Sequence, residues 1–288
     1  MGLGDLVIYL GPAGVPLASK ERSTIAGVRC TAELGLNAFE CEFVRRVGMD
    51  NEMAKEVGKI AEELDVRLSV HCPYFVNLCS QEKEKLEASK KRILDSVERA
   101  HFMQADVAVF HPGFYGSLTQ EQAYEAVKQS CEDLIERMKS KKMGDVWLGL
   151  ETMGKQGTFG SLKEIIGICK DVRGCVPVVD WAHLNCRSAG GLKGQEDYAK
   201  IFDELKPLKL KHLHTHATGA EYTQVESGKG NEKHHLTIDA KKPDFEPLVE
   251  EILRRKIDIT LISESPTLEQ DALVLKKMFE KHGYKFKI

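Results

Sequence analysis

Apolar, β-branched runs alternate with amphipathic, helix-length runs from one end of the chain to the other. The extended runs are "LVIYLG" (6–11), "NAFECEF" (37–43), "RLSVHCP" (67–73), "VAVFHPG" (107–113), "WLGLETM" (147–153), "VPVVDWAH" (176–183), "LKHLHTH" (210–216) and "DITLISESP" (258–266). Between them, stretches such as "NEMAKEVGKIAEELD", "EQAYEAVKQSCEDLIERMKSKK" and "FEPLVEEILRRK" place apolar residues every three to four positions with charges between. That is the mark of a helix with one buried face. Eight such strand–helix units, with no linker or low-complexity segment, predict a single (β/α)8 TIM barrel over residues 1–288. A doubly wound open sheet is the competitor. It would carry a glycine-rich phosphate turn after its first strand, and "GPAGVP" matches that turn poorly.

The polar residues fall in one part of the pattern. After mostly apolar starts, the strands carry Glu40 and Glu42, His71, His111, Glu151, Asp180 with His183, His214 and His216, and Glu264 near their C-terminal ends. In a barrel these ends meet on one rim, where active sites are built. His212, His214 and His216 alternate, so they share one face of their strand. Residues 217–243 show no strong pattern and predict a long loop on the same rim, holding Glu232, His234 and His235. Any one of these histidines is more often a hydrogen-bonded rim residue than a ligand. Together with the carboxylates they form the donor set that suits zinc, manganese or iron, and they outnumber the needs of one ion. Two or three ions sharing bridging carboxylates suit phosphoryl or hydrolytic chemistry. Sugar isomerisation can use the same ligands.

Composition narrows the setting. The chain has 41 basic and 44 acidic residues, a net charge of −3, so any nucleic-acid contact needs a local patch. Eight cysteines are scattered without a Cys-x-x-Cys pair, which argues against a zinc ribbon or a disulfide scaffold and for reduced thiols in a cytoplasmic protein. No run has the roughly 18 uninterrupted apolar residues that a membrane helix needs, and the start of the chain does not read as a signal peptide. Met1-Gly2 opens like a myristoylation signal, but Leu6 stands where Ser or Thr is required. The Lys/Glu alternation in "EKEKLEASKKR" predicts a solvated helix face.

The motifs "HCPYFVNL" (71–78), "FHPG" (110–113), "ETMGKQGT" (151–158), "DWAH" (180–183), "LHTH" (213–216), "EKHH" (232–235) and "ESP" (264–266) occur in an order and spacing that resemble the endonuclease IV family of apurinic/apyrimidinic (AP) endonucleases. The resemblance spans about residues 37–266. It implies a barrel with a zinc centre of two to three ions, acting on duplex DNA on the 5′ side of an abasic site. Position by position, it implies that His71, His111 and Glu151 hold one ion. Glu151 bridges to a second, completed by Asp180, His214 and Glu264, while His183, Glu232 and His234 hold a third. Glu151 also orients the attacking hydroxide. His214 is preferred to His216 because "LHTH" aligns best with a family His followed two positions later by Asn, leaving His216 to support it from behind and His212 as structural.

Tyr74 and Phe75 stand where the family presses residues into the minor groove, with plain packing on the rim as the equal alternative, and Arg45 and Arg46 lie near the place of an expected phosphate-binding arginine. The sequence departs from the family in having Glu232 where the family has Asp, and "LTIDAKKPDF" in place of a glycine-rich segment. Two alternatives stand beside the endonuclease. A sugar isomerase or epimerase of the related barrels needs only Glu151, Asp180, His214 and Glu264, and a metal-binding barrel could recognise damaged DNA without turnover. A monomer without membrane association is expected.

Overall fold

All eight predicted strands form, with bounds shifted by a few residues. The computed structural model describes residues 6–286, so Met1-Gly2 lies outside it. The strands run β1 Ile8–Pro12, β2 Ala38–Glu42, β3 Arg67–His71, β4 Val107–Phe110, β5 Gly113–Phe114, β6 Trp147–Glu151, β7 Thr158–Phe159, β8 Cys175–Asp180, β9 Leu213–Ala217, β10 Gly219–Glu226, β11 Lys229–Leu236 and β12 Ile259–Ser263. The helices are α1 Thr24–Glu33, α2 Asn51–Glu63, α3 Lys83–Met103, α4 Gln120–Ser140, α5 Leu162–Asp171, α6 Trp181–Arg187, α7 Gln195–Leu205, α8 Glu246–Arg255 and α9 Glu269–Lys281.

Eight strands pair in parallel in the order β1-β12-β9-β8-β6-β4-β3-β2. The seam between β1 and β2 is drawn together by Asn37 N–H donating to Leu10 O at 3.0 Å and Gly14 N–H donating to Glu40 O at 2.8 Å. Gly11 makes that approach possible, because a Cβ there would lie 1.6 Å from Ala38 O. The result is a nearly closed barrel in a single domain.

Helix starts are written locally. Thr119 with Gln122 and Ser161 with Glu164 form capping boxes at α4 and α5, and Asp50 accepts from Met53 N–H at the start of α2. Part of the charged run predicted as a solvated face is instead a helix contact. Lys90 is buried, and its Nζ lies 2.9 Å from Asp133 Oδ2 across the α3–α4 boundary.

Because side chains alternate along each strand, the register sorts the inward residues into layers. Val178 lies level with Glu151 and His214, and Asp180 with His216, which is itself level with Ile262. Val107, Val109 and Val178 fill one side of the interior, with Gly149 leaving room for two of them. The other side is polar: Glu40, Ser69, His214 and His216 are all buried there.

Residues 217–243 differ from the predicted loop. Most of them form the antiparallel hairpin β10–β11, turned by Ser227-Gly228 and standing on the rim. No helix among the described residues is long and apolar enough to cross a membrane.

Candidate metal centre on the C-terminal rim

Among the described residues, five groups of donor atoms gather at the strand ends, each lying within 4.8 Å. Two of them, Glu40 with His214 and His216 and Glu40 with Glu42 and Glu264, adjoin the rim centre through Glu40, and the other three make it up. The first is His71, His111 and Glu151, with both imidazole Nε2 atoms close to Glu151 Oε2, at 3.2 and 3.1 Å. The second is Glu151, Asp180, His216 and Glu264; His216 Nδ1 lies 3.4 Å from both Glu151 Oε1 and Glu264 Oε1. The third is His183, Glu232 and His235, with His183 Nε2 3.4 Å and His235 Nε2 3.7 Å from the Glu232 carboxylate. Glu151 sits between the first two sets with no exposed surface, and its Oε1 is also 3.0 Å from His183 Nδ1.

The surroundings of the imidazoles set which nitrogen faces the centre. Nδ1 of His71, His183 and His235 lies 2.8, 2.8 and 3.1 Å from the carbonyl oxygens of Cys72, Thr152 and Glu264. A carbonyl only accepts, so each Nδ1 carries the proton and each Nε2 offers its lone pair to the centre. His216 is turned the other way, with Nδ1 toward the carboxylates and Nε2 2.8 Å from Glu40 Oε1. Glu40 is wholly buried, and its other oxygen accepts from Ser69 Oγ at 2.7 Å and pairs with His214 Nε2 at 2.9 Å.

His183 reaches the rim on a helix rather than on a strand. The chain leaves β8 at Asp180, whose Oδ1 accepts from His183 N–H at 2.6 Å and caps α6. Its Oδ2 is left without a hydrogen-bond partner.

The structure brings together His71, His111, Glu151, Asp180, His183, Glu232 and Glu264. Two expected ligands stand outside these three rim sets, although His214 joins Glu40 and His216 in a donor group of its own. His214 lies one layer below the centre, paired with Glu40, and His216 takes the rim position. His234 is exposed on β11 and lines the adjoining hollow, while His235 joins His183 and Glu232. The cause is a bulge: Glu221 pairs with His234 but Tyr222 pairs with Glu232, leaving Lys233 unmatched. The extra residue inverts the alternation, so Glu232 and His235 share a face although they are three positions apart.

These residues fit metal ions. Glu151 Oε1, Asp180 Oδ2 and His216 Nδ1 are buried side-chain atoms without a hydrogen-bond partner, and all three belong to the second set. A buried polar group left unmatched is costly, and a shared cation would satisfy all three at once. The electrostatics agree. Burial opposes ionisation of Glu151, yet His111 and His216 hold its carboxyl well below the usual range. Burial pushes Asp180 up to about 6 against the pull of His183. His71 is driven up to about 10 despite burial, by Glu42 and Glu151.

A ligating imidazole must be neutral and a ligating carboxylate ionised, so ion uptake displaces protons. Adding zinc to the stripped protein in weak buffer at neutral pH is therefore expected to release protons, read by an indicator dye. At fixed free zinc, retained metal should fall as the pH is lowered, since His71, held up to about 10, binds its proton more firmly, and should fall more steeply below about 6, where Asp180 also takes up a proton. Pure competition for the exposed acidic groups would show no such step.

Glu40 was legible as a strand-end carboxylate but not as a partner of the centre. Its place suggests that it orients His216 in the way a carboxylate supports a metal-bound imidazole. Glu40→Gln is expected to weaken metal binding by about 10- to 100-fold with the fold retained, measured by competition with a zinc chelator.

Tyr74 lies over the first set, its ring 5.1 Å from His71 and 5.5 Å from His111, with its hydroxyl donating to Glu42 Oε2 at 3.4 Å. Phe75 projects further and is 66% exposed. Arg45 and Arg46 are exposed just beyond the end of β2. Gln156, within the "QGT" motif, ties the hairpin to the barrel: its Nε2 donates to Arg187 O at 2.7 Å and Gly230 O at 3.1 Å.

A parallel barrel with carboxylate and imidazole groups gathered on its C-terminal rim places the protein in a defined class. The chain belongs to the xylose isomerase-like TIM barrel family, whose family model matches residues 28–281. Within that class it groups with endonuclease IV. It is 32% identical over 222 residues to a probable endonuclease 4 of Mesomycoplasma hyopneumoniae strain J, covering 73% of this chain and 75% of the relative. It is also 29% identical over 279 residues to an uncharacterized protein of Methanocaldococcus jannaschii, covering 96% and 98% of the two chains. Among solved structures, endonuclease IV from Thermus thermophilus superposes with a TM-score of 0.71 at 19% identity, covering 94% of this chain and 99% of that one. A D-tagatose 3-epimerase-like protein gives 0.64 at 19% identity, covering 94% and 97%. The solved structures share the fold.

Proposed function

We propose that the protein is a zinc-dependent AP endonuclease, hydrolysing the phosphodiester bond on the 5′ side of an abasic site in duplex DNA. The observation that carries the reading is the third set, His183, Glu232 and His235, built beside the four-residue set. An epimerase of the related barrels needs only Glu151, Asp180, His216 and Glu264. The hairpin set is surplus to isomerisation but suited to holding a phosphate between ions.

When bound, ions in these positions lower the pKa of water and neutralise charge that develops on phosphoryl oxygens. The chain's own residues supply the remainder. Glu151, held ionised, presents Oε1 to the middle of the centre, where it can orient a water for in-line attack. Glu232, brought down to about 2 by His183 against the effect of burial, keeps its charge at any working pH. Phe75 is placed to wedge beside the abasic nucleotide, and Arg45 and Arg46 to meet backbone phosphates.

The test is incision of a duplex carrying one abasic analogue, by protein of measured metal content, with and without chelator. Chelator-sensitive cutting on the 5′ side, with two to three ions per chain, is the expected result. Fully loaded protein that leaves the duplex intact but interconverts ketohexose epimers at one ion per chain would replace the endonuclease reading with the epimerase one.

A further inference from the structure

The opposite end of the barrel is also open. Its N-terminal mouth leads into a cavity of about 640 Å³, within the size range of small-molecule sites. Barrel interiors of this kind are ordinarily packed through. Here the lowest inward layer includes Arg67, Trp147, Val176 and His212, which leave the mouth unfilled, and His214 lies at its floor.

Two features of the lining point to a ligand. The first is charge. Lys170, Arg173, Lys209 and Lys211 border the cavity, and none of the four has an ion pair among the described residues. The acid in the lining, Asp106, is already taken by Arg67, whose Nε lies 2.8 Å from its Oδ2. A neighbouring hollow of about 660 Å³ shares Lys209, Leu210 and Lys211 and adds Lys206, so the positive field continues around the mouth. In a chain whose net charge is −3, that concentration is local.

The second feature is an aromatic wall. Trp147 is 47% exposed although it occupies an inward strand position, and it stands beside Val176, Pro177 and Leu210. An indole left open in a concave site, beside cations that lack partners, suits a ligand with a flat apolar body and an anionic group.

We propose that this lower mouth is a second binding site, taking an organic phosphate whose anionic group meets Lys170, Arg173, Lys209 and Lys211 and whose planar body lies against Trp147. The site is separate from the rim. Its deepest residue, His214, pairs from below with Glu40, which contacts His216 from the other carboxylate oxygen. A ligand seated there would approach the support of the metal centre without touching an ion.

Adenosine 5′-monophosphate is the probe, with adenosine and inorganic phosphate as the two control arms. The metal-loaded protein is titrated by equilibrium dialysis and by tryptophan emission. The chain has two tryptophans, and the other, Trp181, is fully buried. Saturable uptake of one nucleotide per chain with a change in emission is expected, and both control arms should bind at least about tenfold more weakly. The double variant Arg173→Glu with Lys211→Glu, both exposed and so not expected to disturb folding, should lose about tenfold or more in affinity. His111→Ala should leave uptake unchanged.

Absence of saturable uptake below about 1 mM would overturn the proposal. So would uptake that survives the double variant but disappears with His111→Ala or chelator, since the phosphate would then sit on the rim ions. Equal binding of inorganic phosphate would overturn the role given to Trp147.

Discussion

Glu151→Gln is expected to leave a folded barrel that has lost its activity, cutting abasic duplex at less than about a thousandth of the native rate, since one group aimed at a reacting centre carries about 10²–10³ in rate. Here the loss should be at least that large, because Glu151 serves two donor sets at once. Its Oε2 lies near His71 and His111, and its Oε1 near His216 and His183. The amide keeps the shape but removes the charge around which four imidazoles are arranged. Metal analysis should show ions lost from both the first and second sets. Incision within tenfold of native, at native metal content, would refute the central place given to this residue. Unfolding would be a different failure, and circular dichroism separates the two.

The second large effect concerns adjacent histidines on one strand. His235→Ala should remove one ion per chain and lower incision by about 10²-fold or more, while His234→Ala should retain both metal and activity within a few-fold. The contrast rests on the unmatched Lys233, which turns His235 inward with Glu232 and leaves His234 exposed. His235 also has its Nδ1 occupied by Glu264 O, which commits Nε2 to the centre. Loss of an ion on changing His234 but not His235 would mean that the working hairpin has a different register.

These two histidines also show where reading the sequence stops. Strand ends bearing His71, His111, Glu151, Asp180 and Glu264 were legible because each ends an apolar run, and a parallel barrel gathers such ends on one rim. Which of His214 and His216 reaches that rim was not. Both lie on the same face of β9, and the choice depends on register against β8 and β12, which alternation alone does not fix. His216 lies level with Asp180 and therefore with the centre. The β10–β11 hairpin was hidden because its strands are largely polar on both faces and give no amphipathic signal. Its one local cue was Ser227-Gly228 between residues that pair as Glu226 and Lys229. Glu40 was visible as a residue and silent as a partner: a buried carboxylate needs polar company, and Ser69 and His214, which hydrogen-bond to it, and His216, whose Nε2 lies 2.8 Å from it, come from other strands.

The foundations of the three donor sets are unequal. The first two rest chiefly on barrel strand ends held by parallel neighbours on both sides. In the third, Glu232 and His235 come from a hairpin attached by a few bonds, among them Glu232 N–H to Gly154 O at 3.1 Å and the Gln156 contacts. Ions seated on the strands would rest on ligands braced from both sides, whereas the last would rest on ligands held by those few bonds. Scarcity of metal would then act on the molecule in steps, emptying the hairpin first and idling the catalyst while its barrel stays intact and ready to be recharged.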